Sequence, residues 1–319
     1  MTSNENYVLI IGSSNMDLNI YSKRFPKPGE TVTEGTFTQS FGGKGANQAV
    51  ASIRSGSKTI FIGKLGQDPF GTQMIENLVN EGIDTTHVIM DPENASGVAF
   101  ILIDSNGQNM ISVAPGANAK LSLKDIKNVL NIIQNASVIV IQMEISMKVI
   151  QEIFNTASKK NTIKILNPAP FKEIPMDVLK KVDIITPNEN ELFQLYSSLG
   201  FKEKQKNTDI FSKITKDLHN CGIQTIIVTL GDKGCFVSDT KSEDQFHLSA
   251  INVTAVDTVG AGDCYNGVLA SRLCQGDTLR IATKYANVAA SIAVTRTGAQ
   301  NSMPFQEEIA KRYSELFGQ

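Results

Sequence analysis

One carboxylate stands directly behind a pair of glycines, where an apolar helical segment begins. Gly260 and Gly262 come immediately before Asp263, and an apolar run follows at 268–273. Glycines let a ligand approach the main chain closely, and the free N–H groups of a helix's first turn bind anions. A carboxylate beside such a site is suited to accept a proton from a hydroxyl while the backbone holds a phosphoryl group. The alternative is that Asp263 only caps the helix and interacts with its dipole.

A second glycine-rich segment, 41–50, also leads into a helical pattern. Its glycines precede an alanine-rich stretch that is predicted to be helical to about Ser55. Lys44 and Asn47 are separated by one helical turn at its start, so both side chains can face one ligand. The alternative is a helix that glycines pack against a sheet, with Lys44 on the surface. The glycines let the backbone contact a small polar molecule, and they favour the ligand site.

The elements that must position these residues follow a repeating order of strand, loop and helix, which predicts a parallel sheet with crossover helices. We predict buried strands at the apolar runs 7–12, 58–63, 137–141, 162–166, 183–186 and 225–229. Most of these runs end in glycine or a polar cluster. Because the carboxyl ends of parallel strands share one edge of the sheet, that edge is the predicted binding face. Asn15 and Asp17 follow the first strand, although both also suit a simple turn.

Two β-rich segments interrupt this order. The segment 18–39 is broken by prolines and is partly polar, and 97–113 contains the hairpin signal Asn106-Gly107. We expect the two segments to pair as one small sheet outside the main one. Such a sheet is too small to bury a core of its own. We therefore expect two copies of the chain to pack sheet against sheet as a homodimer.

The bulk composition narrows the classes of protein. A chain of 319 residues with 41% hydrophobic content suits one large α/β domain or two small ones. A net charge of −2 gives no electrostatic reason to expect nucleic acid or an anionic membrane as partner. The cysteines show no C-x-x-C pair and the histidines lie far apart, so neither a zinc site nor a histidine-based triad is predicted. No apolar run reaches the roughly 20 residues of a membrane span, and no signal peptide is visible, so a cytoplasmic location is expected.

Two common nucleotide motifs are absent from the sequence. The dinucleotide fingerprint G-x-G-x-x-G fails because Tyr265 stands where its third glycine is needed. The P-loop fails at both Gly-Lys pairs, since Gly45 follows one and Leu65 the other, and neither supplies the magnesium hydroxyl. A nicotinamide-dependent oxidoreductase is therefore disfavoured.

Taken together, the polar and glycine clusters resemble those of the PfkB family of carbohydrate kinases. The matching segments keep the family's order over nearly the whole chain and lie at 12–17, 42–48, 142–144, 167–170, 187–191, 229–234, 256–267 and 295–300. The resemblance implies one kinase domain, 1–319, with a three-layer α/β/α, Rossmann-like core, a mainly parallel sheet and a small β-sheet lid from about 18–39 and 97–113. It also implies phosphoryl transfer from ATP to the 5-hydroxyl of D-ribose, in ribose catabolism, by a homodimer joined through its lids.

The resemblance also assigns roles to residues. It implies Asp263 as the base and an anion hole formed by Gly260, Ala261 and Gly262. It implies a sugar site of Asn15, Met16, Asp17, Gly43, Lys44, Gly45, Ala46, Asn47, Glu144 and Asp263. It implies a site for ATP and Mg²⁺ formed by Asn188, Glu191, Thr229, Leu230, Gly231, Asp232, Lys233, Gly234, Gly262, Asp263 and Asn287. It implies a K⁺ loop, mostly of backbone carbonyls, at Asp257, Val259, Ala293, Arg296, Gly298 and Ser302.

Three alternatives remain open at this point. The substrate can be another one that this family phosphorylates, such as deoxyribose, fructose, 2-keto-3-deoxygluconate or a nucleoside. The protein can instead be a sugar or nucleotide sensor on the same fold, although a base at Asp263 gives pure binding little benefit. Met16, which stands where many family members carry a small residue, either packs under a sheet or tunes the choice between ribose and 2-deoxyribose.

Overall fold

The computed structural model describes residues 6–157, 162–202 and 210–318. Its strands are β1 (Val8–Ile11), β2 (Asn15–Tyr21), β3 (Thr36–Gly42), β4 (Thr59–Ile62), β5 (Lys64–Gly66), β6 (Ile89–Asp91), β7 (Gly97–Ile103), β8 (Asn109–Ala114), β9 (Val138–Gln142), β10 (Ile163–Asn167), β11 (Ile184–Ile185), β12 (Thr225–Thr229), β13 (Cys235–Asp239) and β14 (Asp244–Leu248). Its helices are α1 (Lys44–Arg54), α2 (Pro69–Asn80), α3 (Leu123–Lys127), α4 (Leu130–Asn135), α5 (Met147–Ala157), α6 (Met176–Leu179), α7 (Glu189–Ser198), α8 (Ile210–Asn220), α9 (Ala261–Cys274), α10 (Leu279–Ala293) and α11 (Gln306–Phe317).

An eight-stranded sheet forms the centre, in the order β14-β13-β12-β11-β10-β9-β1-β4. The strands from β12 to β4 pair in parallel, whereas β13 and β14 form an antiparallel hairpin at one edge. The carboxyl ends of the parallel strands therefore meet along one edge of the sheet. Gln142 and Asn167 are register partners at that edge.

Alternate residues of each strand supply two separate apolar layers, because neighbouring side chains point to opposite faces of a sheet. In β1, Leu9 and Ile11 pack with residues of α5, α7 and α8, whereas Val8 and Ile10 pack with residues of α1, α9 and α10. A sheet covered on both faces needs continuous apolar runs of this kind. The predicted three-layer α/β/α architecture with a mainly parallel sheet is confirmed.

A separate four-stranded sheet, in the order β3-β2-β7-β8, is the predicted small sheet and is called the lid here. Its strands β2 and β7 pair in parallel, and the outer pairs are antiparallel. Two of its boundaries differ from the prediction, because β2 begins at Asn15 and β3 continues to Gly42. Asn15 and Asp17 therefore lie in a lid strand, and the alternative of a simple turn is wrong.

Other differences are local. The sequence does not predict the helix α7, because its first turn is polar, and Asn188 and Glu191 are expected there only as part of the ATP and Mg²⁺ site. The sequence also predicts helices at 146–158 and 208–221, which agree with α5 and α8, although Ser158, Thr208 and Asp209 lie outside the described residues. Over the described ranges, no helix combines the length and apolar character needed to cross a membrane.

Candidate active site

The carboxylate of Asp263 is held by a different helix from its own. Gly260, with φ 76°, precedes α9 in the left-handed conformation that favours glycine, and no side chain caps the first turn. Asp263 is 6% exposed. Asn47 Nδ2 donates to its Oδ2 and Gln48 Nε2 donates to its Oδ1, each at 2.9 Å. Asp263 therefore does not cap the helix, and its carboxylate is oriented by α1.

The close contact of α1 with α9 depends on a glycine. A Cβ atom at Gly267 would lie 2.4 Å from the carbonyl oxygen of Gln48 and 2.6 Å from Cβ of Ala51. Only a residue without a side chain permits this approach. Gly267 lies one turn beyond Asp263, so the contact brings the amides of α1 within hydrogen-bond distance of the carboxylate.

Carboxylates and one lysine gather beside Asp263. The pKa of Asp17 is raised to about 7, first by burial and then by the negative charges of Glu144 and Asp263. The pKa of Lys44 is raised, chiefly by the Asp263 charge and also by Glu144 and Glu191, while burial acts in the opposite direction. Lys44 is half-buried and within electrostatic reach of the Asp263 carboxylate that Asn47 contacts, so a shared site for Lys44 and Asn47 stays the prediction.

Glu144 is fixed by two donors. The Ser13 hydroxyl donates to Glu144 Oε2, and the backbone N–H of Lys44 donates to the same oxygen at 3.2 Å. Gly43 directly precedes α1, Gly45 lies close to the backbone of Ser13, and the Ala46 side chain lies in the apolar core. These three residues bring backbone rather than side chains to the predicted sugar site.

Neighbouring residues of β2 point to opposite faces of the lid. Asn15 is buried at the start of the strand, where its Oδ1 accepts a 2.8 Å hydrogen bond from Asn118 Nδ2. Met16 is 1% exposed and packs in a cluster with Leu65 and Met74. The Met16 side chain thus packs among apolar side chains, on the opposite face of β2 from Asn15 and Asp17.

The pair Asn188 and Glu191 forms the first turn of α7. Asn188 Oδ1 accepts from the Glu191 N–H and Glu191 Oε2 accepts from the Asn188 N–H, each at 2.9 Å, which is a reciprocal capping box. Burial raises the pKa of the Glu191 carboxyl, and the Lys44 charge lowers it. The Glu191 carboxylate therefore caps α7 and also lies close enough to Lys44 and Asp263 to interact with their charges.

A cavity of about 550 Å³ begins at the first turn of α9 and runs beside α10. Most of the side chains that line it are small. It is lined by Asn188, Thr229, Gly231, Asp232, Gly234, Ala250, Ile251, Asn252, Val253, Ala255, Thr258, Ala261, Gly262, Tyr265, Asn287, Ala290, Ser291 and Val294. Leu230 lies in the apolar core and Lys233 is exposed, so neither of these predicted nucleotide residues lines the cavity.

The two segments of the predicted cation loop are joined by one carboxylate. Asp257 accepts from the N–H of Val259 at 3.0 Å and from the N–H of Gly298 at 2.9 Å. Arg296 pairs with Glu308 and not with Asp257. The remaining predicted residues act locally: the Ala293 carbonyl accepts from Arg296, and the Ser302 hydroxyl donates to the Ala299 carbonyl.

Several buried amides near Asp263 were not assigned a role from the sequence. Gln48, Gln142 and Asn167 are hydrogen-bonded to one another, and Gln48 reaches the carboxylate. All three stood in the quoted motifs, yet their partners lie on different elements and only the fold brings them together. A buried run of uncharged polar side chains at a sheet edge is the signal that points to them.

Comparisons with known proteins show which proteins this chain is similar to. Ribokinase from Staphylococcus aureus is 38% identical over 309 residues, covering 95% of this chain and 98% of the relative. Deoxyribokinase from Salmonella typhimurium is 35% identical over 302 residues, covering 94% of this chain and 96% of the relative. The structure of Arabidopsis thaliana ribokinase complexed with ribose and ATP has a TM-score of 0.87 and 29% identity, and it covers 96% of this chain and 98% of that chain. The model of the pfkB family carbohydrate kinases matches residues 5–306. The chain therefore belongs to the PfkB family of carbohydrate kinases.

Proposed function

We propose that this protein phosphorylates the 5-hydroxyl of D-ribose with ATP, giving D-ribose 5-phosphate and ADP. The observation that carries the proposal is the position of Asp263, whose neighbours on one side are Asp17, Lys44 and Glu144 and on the other the cavity that Gly262 lines. A phosphoryl group bound at the first turn of α9 would lie next to this residue, because Asp263 directly follows Gly262 in the chain. The ribose-bound and ATP-bound state of the Arabidopsis relative supports the same pairing of ligands.

The proposed sugar site has the chemistry that hydroxyl groups need. Carboxylates accept hydrogen bonds from hydroxyls, and an amide oxygen does the same. Within the described part of the chain, Asn47 Oδ1 is buried without a hydrogen-bond partner, next to the Asp263 carboxylate. Buried polar atoms are normally paired, so this oxygen supports a ligand hydroxyl at this position.

Asp263 then acts as the base for the attacking hydroxyl. Phosphoryl transfer requires positioning and charge neutralisation more than covalent assistance. The carboxylate is held by Asn47 and Gln48, so it points in one direction before the sugar binds. The N–H groups of the first turn of α9 beyond Ala261 serve as the anion hole for the transferred group, because the Ala261 N–H itself donates to the Thr258 carbonyl at 3.3 Å.

The proposed cofactor is the ATP–Mg²⁺ complex, in the cavity along α9. Asn287 donates through Nδ2 to the Ser249 carbonyl at 2.9 Å, which leaves its Oδ1 to accept a hydrogen bond from the amino group of adenine. Glu191 uses Oε2 for its capping hydrogen bond, and its other carboxylate oxygen is a hard donor of the kind that Mg²⁺ accepts directly or through water. The bound ion neutralises charge on the phosphates.

The experiment that tests the function is a panel of acceptors at equal concentration, followed by ADP release. We expect D-ribose to have the highest kcat/KM and expect 2-deoxyribose, fructose, 2-keto-3-deoxygluconate and adenosine to be slower. If one of the other acceptors is turned over faster, that acceptor replaces ribose as the proposed substrate, and the assignment as a kinase still stands. No ADP release with any acceptor, together with sugar binding by calorimetry, would support the alternative of a non-catalytic sensor. The deoxyribokinase relative makes 2-deoxyribose the most informative competitor.

The KM for the sugar is expected to depend on pH through Asp17. Its folded pKa is raised to about 7, so Asp17 is protonated below that pH and ionised above it. The ionised form accepts hydroxyl hydrogen bonds with both oxygens, so KM should rise about tenfold per pH unit below that midpoint. The check is KM measured across the midpoint in wild type and in Asp17→Asn. The substituted protein should bind sugar weakly with no inflection near pH 7, and an unchanged inflection there would assign the titration to another group.

Activation by K⁺ is the expected role of the loop that Asp257 joins to Gly298. A cage of backbone carbonyls suits a large monovalent ion and needs no dense set of carboxylates. Ion binding would fix the segment before Gly260 and so aim the N–H groups of α9, which are used most in the transition state. We expect kcat to be higher in K⁺ than in Na⁺ or a bulky organic cation at equal ionic strength. Equal kcat values in all three salts would remove the cation site from this proposal.

We also propose that the lids join two copies of a single domain, 1–319, into a homodimer. The register places Phe37, Phe100 and Met110 on one lid face, and their exposed fractions are 59%, 54% and 56%. Apolar surface of this extent is typical of an interaction site. Light scattering should give the mass of a dimer, and the double change Phe37→Ser with Phe100→Ser should give a monomer. A wild-type monomer at assay concentration would contradict the proposed association.

A further inference from the structure

A chain of buried amides joins Asp263 to the carboxyl edge of the main sheet. Gln48, which has no exposed surface, donates through Nε2 to Asp263 Oδ1 at 2.9 Å and to Asn167 Oδ1 at 3.2 Å. Gln48 Oε1 accepts from Gln142 Nε2 at 2.6 Å. Both hydrogens of the Gln48 amide nitrogen and its carbonyl oxygen are thereby used.

The direction of each hydrogen bond in this chain is determined by a backbone group at its far end. The Thr186 carbonyl can only accept, and Asn167 Nδ2 donates to it at 3.0 Å. Asn167 must therefore present Oδ1 to Gln48, and an oxygen there requires the Gln48 nitrogen. The amide of Gln48 consequently presents N–H to Asp263 and cannot turn its oxygen to the carboxylate without leaving two acceptors face to face.

We propose that Gln48 is a positioning residue that holds Asp263 in the orientation needed to receive the sugar proton. This inference rests on the proposed role of Asp263. Asn47, the other donor to the carboxylate, lies at the sugar side and has an oxygen available to the ligand. Gln48 lies on the buried side and is committed entirely to the protein. The two donors therefore have different roles. Asn47 can also bind the sugar, whereas Gln48 only holds the carboxylate in place.

A second branch connects the same amides to the start of α9. The Thr186 hydroxyl donates to Asn266 Oδ1 at 2.6 Å, and Asn266 Nδ2 donates to the Gly262 carbonyl at 2.8 Å. Thr186 thus contacts Asn167 with its carbonyl and Asn266 with its hydroxyl. Asp263 and the first turn of α9 are consequently both hydrogen-bonded, through these amides, to Thr186 at the edge of the main sheet. These hydrogen bonds should keep the distance between the base and the anion hole constant.

The test replaces the amide and keeps its volume. Gln48→Met removes both donors while its unbranched side chain fills the same space. We expect kcat to fall about 10- to 100-fold, since displacing a reacting group by about 1 Å costs a factor near the upper end of that range. The dissociation constant of the sugar, measured by calorimetry, should stay within about threefold, because sugar contacts are not removed. Gln142→Met, which removes the donor to Gln48 only, should give a smaller loss of kcat.

Ser271→Ala is the matched control. Ser271 is buried in the same helix as Asp263, about two turns further on, and its hydroxyl is hydrogen-bonded to Ser55 and Ser57. Its loss should lower the melting temperature while kcat stays at the wild-type value. A fall of kcat in Ser271→Ala equal to that in Gln48→Met would show that general loosening of the core, and not orientation of the base, explains the effect.

A coupling measurement separates positioning from stability. If Gln48 acts through Asp263, adding Gln48→Met to Asp263→Asn should change the residual kcat by less than about twofold, since the group that is positioned has gone. If the fold-loss of kcat in the double variant equals the product of the losses in the two single variants, the proposal is overturned. A wild-type kcat in Gln48→Met would overturn it as well. The assay uses D-ribose or whichever sugar is turned over fastest in the acceptor panel, so a wrong substrate assignment appears there and not in this ratio.

Discussion

Asp263→Asn is expected to lower kcat by roughly 10²–10⁴, the usual contribution of a positioned acid or base, while sugar binding is largely retained. Asparagine keeps the shape of the side chain but cannot accept a proton at neutral pH. Gln48 can still donate to the remaining oxygen, and the Asn47 amide can turn so that its oxygen accepts from the new –NH₂ group. The loss should therefore appear in the chemical step.

The measurement is kcat by ADP release together with the sugar dissociation constant by calorimetry. Asp239→Asn is the matched control, since Asp239 is also a buried carboxylate with hydroxyl donors, at 9% exposure, but lies in the edge hairpin away from α9. It should keep the wild-type kcat. Near wild-type turnover in Asp263→Asn would remove the base from the mechanism and leave Asp263 with a purely structural role.

Lys44→Met is expected to have the second largest effect, a loss of about 10²–10³ in kcat, similar to that of removing one donor from a preorganised anion site. Lys44 is the cation that Asp263, Glu144 and Glu191 face, and their charges raise its pKa. Without it, three carboxylates would meet the incoming phosphates with no opposing side-chain charge. The repulsion should be largest when negative charge develops on the transferred group.

The control for Lys44→Met is Lys164→Met. Lys164 is also buried, and its Nζ lies 2.7 Å from Asp183 Oδ2 in an ion pair on β10. It is near the opposite end of the strand from Asn167, so its loss should affect stability without changing kcat per folded molecule. Equal turnover losses in the two proteins would mean that Lys44 contributes to folding rather than to phosphoryl transfer.

Much of the fold follows from local patterns in the sequence. Apolar runs such as the one in β1 mark buried strands, and the alternation of Leu9 with Ile10 already requires a layer on each face. The glycines at 42–45 and 260–262 mark the two helix starts of the site because their effect on the backbone is local. The family resemblance then follows from the order of these clusters along the chain.

The orientation of individual side chains could not be predicted from the same patterns. Met16 lies between two polar residues, and only the strand register shows that it faces Met74 instead of the carboxylates. Leu230 and Lys233 belong to the loop motif but point into the core and outward, respectively. The partner of Arg296 depends on where α11 lies, which places Glu308 nearer than Asp257. Each case depends on tertiary packing between segments far apart in the chain.

The wall of the cavity along α9 has a consequence for how the protein responds to its surroundings. Among the described residues that line it, none is lysine, arginine or histidine, and Asp232 carries a negative charge. A site that holds a polyanion through basic side chains loses affinity as ionic strength rises, because mobile ions screen the attraction over about 10 Å at 0.1 M salt. Main-chain N–H groups act at contact distance, where little screening occurs. If ATP binds in this cavity as proposed, its affinity should therefore fall less steeply with rising ionic strength than at a site lined by basic side chains, and the remaining dependence should come from Lys44 beside Asp263.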